Sequence, residues 1–328
     1  MTETFAALVL REGDDGPVGS IEQLSDTDLP DGDVTVDVDY SSLNYKDGMA
    51  LTGAGRIVRS YPMVPGIDYA GTVRESADDR YIPGDQVVLT GWGVGERYWG
   101  GYAQRQRTRA DWLVPLPDGL TTRDAMSIGT AGLTSVLCLM ALEDGGVRPE
   151  DGPVLVTGAA GGVGSVAVAL LADAGYEVTA VTGREETHDY LRGLGASAFL
   201  GRDEMSDRAR PLDSEIWAGA VDTVGGDMLA CLLPVLAQEG CVAACGVVGG
   251  AEVATSVYPF ILRGVTLRGI DSAWCSLQRR KEIWNRLANQ WRLAELGKIS
   301  RSVPLSEAGQ VASQMLEGAH SGRTIIEV

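Results

Sequence analysis

The segment that most constrains the fold is a glycine-spaced turn, VLVTGAAGGVGS, at Val154–Ser165. Gly158, Gly161 and Gly164 follow an apolar, strand-like run and directly precede the helix-like run VAVALLADAG. Glycine permits a tight turn and lets backbone N–H groups approach a pyrophosphate, while the helix N-terminus adds free donors and partial positive charge. The segment therefore predicts a Rossmann-type dinucleotide site; the alternative is a glycine turn that only packs helix on strand.

The end of the next predicted strand, Glu177–Val181, distinguishes the two nicotinamide cofactors. NAD-binding chains usually place Asp or Glu there, to bind the ribose 2′-hydroxyl. This chain has Thr182, Gly183 and Arg184 instead. A small residue leaves room for a 2′-phosphate, and an arginine can pair with it through two hydrogen bonds. We therefore predict NADPH; the alternative is that Arg184 is a solvated surface residue.

The first part of the chain is rich in predicted strands. Asp33–Tyr40 alternates apolar and polar residues, and Tyr69–Glu75 and Gln86–Thr90 are further short candidates separated by Gly, Pro and Asp. This pattern predicts a small, barrel-like β domain.

The pattern changes near Asp124, where a long apolar helix is predicted at Ala125–Leu142. Predicted strands and helices then alternate from Pro153 to Ile270, which indicates a parallel sheet with right-handed crossovers. A helical stretch and a strand-like tail, Thr324–Val328, complete the chain. We predict a first domain at 1–124, a nucleotide-binding domain at 125–265, and a return to the first domain at 266–328.

The charge balance excludes some partners. The net charge is −18, from 45 acidic and 27 basic residues, and such a surface repels nucleic acids and anionic membranes. We expect no signal peptide, no membrane-spanning segment and a cytoplasmic location. The five cysteines form no C-x-x-C pair and there are only two histidines, so we predict neither a disulfide framework nor a metal site.

Several long motifs stand in an order shared with a known family: SSLNYKD (Ser41–Asp47), GRIVRSYPMVPGIDYAGTV (Gly55–Val73), LTGWGVGE (Leu89–Glu96), WGGYA (Trp99–Ala103), IGTAGLTS (Ile128–Ser135), CVAACG (Cys241–Gly246) and FILRGVTLRGIDS (Phe260–Ser272). Over nearly its whole length the chain resembles the acrylyl-CoA reductase family, also known as YhdH-type quinone oxidoreductases. This family belongs to the zinc-free branch of the medium-chain dehydrogenase/reductase superfamily.

The resemblance implies an α/β protein in which a Rossmann doubly wound parallel sheet is inserted in a GroES-like β-barrel catalytic domain. Zinc-dependent members of the superfamily carry Cys at the position of Asn44, and His and Glu at those of Ile67 and Asp68. Without these ligands the reaction is expected to be metal-free, with protein groups polarising the electrophile.

The resemblance also implies a reaction, the NADPH-dependent reduction of the α,β double bond of acryloyl-CoA to propanoyl-CoA. Tyr45 is expected beside the nicotinamide, either donating a hydrogen bond or proton or only contacting the cofactor, and Asn44 is expected to orient the thioester carbonyl. The remaining cofactor contacts carried over from the family are Ala160, Gly161, Gly162 and Val163 at the pyrophosphate, Thr182, Gly183, Arg184 and Arg202 at the 2′-phosphate, and Val247, Ile261 and Ser272 near the nicotinamide.

Two other functions stay open. An NADPH:quinone oxidoreductase would use the same cofactor site with a flat aromatic acceptor. A non-catalytic nucleotide-binding or crystallin-like protein would keep the glycine turn without activity. Relatives often pair through the edge of the Rossmann sheet, so a homodimer acting on a small-molecule substrate is expected.

Overall fold

The computed structural model describes residues 3–14, 16–206, 210–289 and 296–328. The chain divides into two compact units: unit 1 contains Met1–Leu133 and Ser272–Val328, and unit 2 contains Thr134–Asp271. Unit 1 is therefore built from both ends of the chain, and unit 2 from its middle.

Unit 1 begins with β strands, as the alternating pattern predicts. Its first described elements are β1 (Thr4–Gly13), β2 (Gly16–Ser25), β3 (Val34–Leu43), α1 (Tyr45–Thr52), β4 (Asp68–Ser76), β5 (Gln86–Thr90), β6 (Arg105–Thr108) and β7 (Val114–Pro115). The predicted strands at 33–40, 69–75 and 86–90 correspond to β3, β4 and β5, so those predictions are confirmed.

The helix α2 (Thr122–Asp144) follows, and it is interrupted at Gly129. Gly129 has φ 53° and ψ −159°, outside the helical region, so the N–H of Thr130 is freed for a partner away from the preceding turn. By length and composition α2 is apolar enough to cross a membrane, although no membrane-spanning segment was expected. However, 89% of its apolar window is buried inside the protein. Burial of this kind is typical of a core helix.

Unit 2 is an alternation of strands and helices. Its described elements after α2 are β8 (Val154–Val156), α3 (Gly162–Asp173), β9 (Val178–Val181), α4 (His188–Gly193), β10 (Ala196–Leu200), α5 (Arg202–Ser206), β11 (Trp217–Asp222), α6 (Gly226–Leu232), β12 (Leu236–Ala244), α7 (Tyr258–Arg263) and β13 (Thr266–Gly269). The strands pair in parallel in the order β10-β9-β8-β11-β12-β13, the doubly wound Rossmann order, which confirms the predicted parallel sheet.

The chain then returns to unit 1. The described elements of this last segment are α8 (Leu277–Asn289), α9 (Leu296–Ile299), β14 (Ser300–Pro304), α10 (Ala308–Leu316) and β15 (Arg323–Glu327). The tail strand β15 pairs antiparallel with β3, so the main described sheet of unit 1 has the order β14-β15-β3-β4-β5-β7, with β6 also on β3. Side chains near the C-terminus thereby lie beside the end of β3.

The unit boundaries differ from the expected domain limits at 124/125 and 265/266. The second boundary lies later because β13 pairs with Cys241–Ala244 of β12 and so belongs to the sheet of unit 2. The first boundary falls within α2, since Leu133 ends the first segment of unit 1. A run that reads as one continuous helix carries no sequence signal for such a division.

Candidate functional site

The glycine turn of unit 2 leads from β8 into α3, where the strand order of the sheet reverses. Gly158 has φ +59°, a conformation that favours glycine. At Gly164 a Cβ atom would overlap the Gly158 carbonyl oxygen and lie 2.7 Å from Ala159 Cα, so the missing side chain allows α3 to pack closely on the turn. In doubly wound sheets, ligands bind at this reversal point, outside the carboxyl ends of the strands.

The turn fits a pyrophosphate. A Cβ atom at Gly161 would meet only the Gly158 carbonyl oxygen, at 3.2 Å, so the outer face of the turn is open. Gly161 caps α3 in an extended conformation, and the first N–H groups of a helix have no intrahelical acceptor. Ala160, Gly162 and Val163 lie in this turn and the start of α3.

The residues predicted to bind the 2′-phosphate come together in unit 2. Thr182 follows β9, is 6% exposed, and accepts a hydrogen bond from the Arg184 N–H at 3.2 Å. Arg202, the first residue of α5, lies against Gly183: a Cβ atom at Gly183 would be 2.9 Å from Arg202 Nε. Residues 182–184, directly after β9, include no acid, and Arg184 and Arg202 add positive charge to this part of unit 2.

Asp222, at the end of β11, has a structural role beside the turn. Its buried carboxylate accepts hydrogen bonds from Thr157 Oγ1 at 2.6 Å and from the N–H of Gly225 at 2.9 Å. Burial raises the pKa of this carboxyl above its usual range, whereas these hydrogen bonds act in the opposite direction. The carboxylate thus ties the ends of β8 and β11 together.

Of the three further residues expected near the nicotinamide, two belong to unit 2 and one belongs to unit 1. Val247 and Ile261 are exposed apolar residues of unit 2, at 54% and 67% exposure. Ser272 begins the last segment of unit 1, and its carbonyl oxygen accepts a hydrogen bond from Arg280 Nη2 at 2.8 Å.

Unit 1 contains a buried polar network where β4 begins. Asp68 Oδ1 accepts hydrogen bonds from the N–H and hydroxyl of Ser42, at 3.1 and 2.7 Å. Its Oδ2 accepts from Asn44 Nδ2 at 3.1 Å and from the Thr130 N–H at 2.7 Å, the donor freed by the interruption at Gly129. The carboxylate is fully buried and thus joins β3, β4 and the second part of α2.

Arg323, the first residue of β15, supplies a cation to this network. Its guanidinium donates to Ser42 Oγ at 2.7 Å, Asn44 Oδ1 at 3.3 Å, the Leu43 carbonyl oxygen at 3.4 Å and the Ser127 carbonyl oxygen at 3.3 Å. Arg323 is 2% exposed, so these acceptors replace water around the guanidinium.

The network ends at the N-terminus of α1, which carries Tyr45. Asn44 is the N-cap of α1, and its N–H donates to Asp47 Oδ2 at 2.9 Å. Tyr45 is half-buried and, among the described residues, its hydroxyl has no hydrogen-bond partner, so it is available to a ligand. By contrast, both polar atoms of the Asn44 side chain are bonded within the unit and Asn44 is 8% exposed. A contact from Asn44 to a thioester carbonyl would therefore require one of these hydrogen bonds to be exchanged.

Asp47 is a titratable group of this network whose pKa lies far from its usual range. Burial, and to a smaller extent the neighbouring Asp68, raise its pKa to about 7, against the opposing effect of hydrogen bonds from Asn44 and from the N–H of Ile67. Tyr102 faces both carboxyls and Arg323; burial and the two acids raise its pKa well above the usual range, and Arg323 acts in the opposite direction.

Replacing Asp47 with Asn is expected to change how stability depends on pH. Because the folded pKa lies above the unfolded one, the folded state binds more protons between about pH 4 and 7, and the unfolding free energy falls as pH rises through that window. In Asp47→Asn this contribution disappears, a difference of up to about 1.4 kcal/mol per pH unit. Urea unfolding at several pH values measures it, with Asp31→Asn at an exposed position as the control. Equal slopes for wild type and Asp47→Asn would rule out titration of Asp47 in this range.

Sequence reasoning did not single out Arg323, Asp47 or Gly129. A charged residue at the start of an apolar tail strand, RTIIEV, is the signal that marks Arg323 in retrospect. Its partners are more than 190 residues away along the chain, at Ser42–Asn44 and Ser127, so no local pattern connects them.

The sequence predicts no metal site. Within the ranges that the structure describes, no group of three or more His, Cys, Asp or Glu side chains is placed to hold a metal ion. At the three positions where zinc-dependent relatives carry ligands, the structure has Asn44 and Asp68 in the buried network and Ile67 with its N–H bonded to Asp47.

Comparisons with known proteins agree with this architecture. An alcohol dehydrogenase GroES-like domain model matches residues 30–118, and a zinc-binding dehydrogenase model matches residues 162–289. The acrylyl-CoA reductase of Ruegeria pomeroyi is 54% identical over 327 residues, covering 99% of each chain. The probable acrylyl-CoA reductase of Escherichia coli K12 is 52% identical over 322 residues, covering 98% of this chain and 99% of that one.

Solved structures give the same result. A Salmonella enterica oxidoreductase in complex with NADP has a TM-score of 0.96 at 52% identity, covering 98% of this chain and 99% of that one. A Bacillus subtilis protein with NAD bound has a TM-score of 0.96 at 43% identity, covering 100% of both chains.

Proposed function

Because the chain belongs to the acrylyl-CoA reductase family of zinc-free medium-chain dehydrogenases/reductases, we propose that it reduces the α,β double bond of acryloyl-CoA with NADPH. The observation that carries the proposal is a sequence identity of 54% to an acrylyl-CoA reductase and of 52% to a probable acrylyl-CoA reductase, over nearly the full length. The products are propanoyl-CoA and NADP⁺, with one proton consumed.

In this reaction bound NADPH supplies a hydride to the β-carbon of the thioester. The negative charge that develops on the thioester oxygen needs a hydrogen-bond donor, and the α-carbon then needs a proton. Tyr45, with an unpaired hydroxyl at the start of α1, is the side chain of unit 1 that we assign to this donation. Asn44, the N-cap of α1, directly precedes it.

For the cofactor, the open turn at Ala160–Val163 takes the pyrophosphate, and Arg184 and Arg202 take the 2′-phosphate. Replacing either arginine with Ala is expected to lower kcat/KM for NADPH about tenfold or more, since a hydrogen bond to a charged group contributes about 1.5–3 kcal/mol. The kcat/KM for NADH should stay unchanged, because NADH has no 2′-phosphate. Initial rates with both cofactors measure this.

Arg192→Ala, in α4, is the matched control, because Arg192 is exposed and paired with Asp189. A wild-type enzyme that used NADH and NADPH with equal kcat/KM would contradict the assignment of both phosphate-binding arginines. The two cofactors must be compared because the Bacillus subtilis relative was solved with NAD.

The direct test of the substrate follows NADPH absorbance with acryloyl-CoA and then with a benzoquinone. We expect rapid oxidation of NADPH with the thioester and formation of propanoyl-CoA. A quinone is the second candidate because the name of one Bacillus subtilis relative, 43% identical over the whole chain, describes a quinone oxidoreductase. Fast turnover of the quinone without turnover of the thioester would make a quinone the substrate in place of acryloyl-CoA. No turnover of either would favour a non-catalytic, nucleotide-binding role.

We also place the enzyme in the cytoplasm as a homodimer, binding neither nucleic acid nor membranes. The net charge of −18 supports the last two points. In the described part of unit 2, β13 ends the sheet with every residue exposed, which leaves a strand edge for a second copy. A monomeric mass by light scattering at micromolar concentration would contradict the dimer.

A further inference from the structure

We propose that Arg323 is a positioning residue for this reduction, because its buried guanidinium binds the three consecutive residues Ser42–Asn44, directly before Tyr45. The inference rests on the proposed role of Tyr45 in the reaction. In this proposal a residue of β15, more than 270 residues away along the chain, fixes the position of the start of α1.

The first support is the geometry of the guanidinium. Its Nη2 donates to Ser42 Oγ at 2.7 Å, and Nη1 donates to the Leu43 carbonyl oxygen at 3.4 Å and to Asn44 Oδ1 at 3.3 Å. Nε donates to the Ser127 carbonyl oxygen at 3.3 Å. A planar fork with fixed donor directions can hold four acceptors at once, whereas a lysine ammonium is a single point on a flexible stem.

The second support is charge. The amide of Asn44 lies between a cation and two carboxyl groups: its oxygen accepts from Arg323, while its nitrogen donates to Asp68 at 3.1 Å and Asp47 at 3.2 Å. An amide placed between opposite charges is stable in one orientation only, because rotation would bring its oxygen to the acids and its nitrogen to the cation. The guanidinium therefore fixes the side chain that caps α1.

The third support is the space left for the guanidinium. At Gly129 a Cβ atom would lie 2.6 Å from Arg323 Nη2 and 2.8 Å from Ser42 Oγ. The backbone there has φ +53°, which L side chains rarely adopt. The interruption of α2 thus serves two contacts of the same network, since it makes room for Arg323 and directs the Thr130 N–H to Asp68.

The consequence for function is specific. Loss of the fork would let Ser42–Asn44 move and would displace Tyr45 with it. A misplacement of about 1 Å costs about 100-fold in rate when the displaced group takes part in the chemistry. Most of the contacts assigned to NADPH lie in unit 2, so kcat should fall by a much larger factor than the KM for NADPH rises.

The experiment is a double-mutant cycle on kcat with Arg323→Lys and Tyr45→Phe in the full-length enzyme. We expect Arg323→Lys to lower kcat about 100-fold. We expect Tyr45→Phe, which lowers kcat sharply in the wild type, to have little further effect in the Arg323→Lys background, since residues acting through one another are not additive. The control is Arg301→Lys, on the neighbouring strand, where the exposed arginine contacts only Thr324 Oγ1 among the described hydrogen bonds, at 3.4 Å.

Equal effects of Tyr45→Phe in both backgrounds would overturn the proposal, and so would a rise in the KM for NADPH with kcat unchanged. If Arg323→Lys does not fold, Ser42→Ala, which removes one acceptor of the fork, takes its place in the same cycle. If the wild type reduces only a quinone, the proposed substrate is wrong, and the cycle measured with the quinone still decides the role of Arg323.

Discussion

The Tyr45→Phe variant is expected to reduce acryloyl-CoA with a kcat lowered about 100-fold or more, the contribution typical of a positioned general acid. Phenylalanine keeps the ring of Tyr45 and removes only its hydroxyl. A role limited to packing against the cofactor would survive the change. Because the hydroxyl has no hydrogen-bond partner among the described residues, its removal leaves no buried group unpaired, and the folded state should keep its stability.

Steady-state kinetics with saturating NADPH, together with a thermal unfolding curve, measure both effects. Tyr40→Phe is the matched control, since Tyr40 is a half-buried phenol on the same stretch of chain, in β3. A near-wild-type kcat for Tyr45→Phe would assign Tyr45 a packing role and would leave the proton donor among other groups.

The second large effect is expected from the glycine turn, where two substitutions should separate folding from cofactor binding. Gly164→Ala places a methyl group on the Gly158 carbonyl oxygen and 2.7 Å from Ala159 Cα, so α3 must move away from the turn. Overpacking of this kind costs about 1–3 kcal/mol of stability. NADPH binding should be lost with it, because the donors of the turn move together with α3.

Gly161→Ala is the matched variant. Its Cβ atom meets only the Gly158 carbonyl oxygen, at 3.2 Å, and its φ of −77° suits alanine, so unfolding should stay within about 0.5 kcal/mol of wild type. Its methyl group points into the space assigned to the pyrophosphate, so the Kd for NADPH should rise about tenfold or more, or about 1.4 kcal/mol.

Urea unfolding and fluorescence titration with NADPH measure the two quantities. Gly193→Ala, in α4 with open space around the new Cβ atom, controls for the general effect of removing a glycine. If Gly161→Ala bound NADPH as tightly as wild type, the turn would have only the packing role that the sequence left open.

Local patterns predicted much of unit 2. The glycine turn, the alternation of strands and helices, and the residues after β9 all depend on neighbours within a few positions. Each of them is consequently visible in the order of residues. Arg202 is an intermediate case: the family resemblance indicated it, and the structure places it against Gly183 because β9 and β10 are adjacent strands.

Local patterns did not predict the buried polar network of unit 1. The family resemblance led us to expect that Asn44 orients a substrate carbonyl. Its bonds to Arg323, Asp68 and Asp47 occupy that amide instead. The interruption at Gly129 was likewise hidden within a run that reads as continuous helix.

The sequence by itself thus determined the Rossmann turn, the parallel sheet and the absence of an acid directly after β9, because these depend on backbone geometry and side-chain size at adjacent positions. Only the tertiary structure decided which buried charges meet. Asn44 links Asp68 and Asp47 to Arg323, and Arg323 lies beside Asn44 because β15 pairs with β3. The energy of a buried charge depends on the groups around it in space, and those groups come from parts of the chain that no local pattern joins.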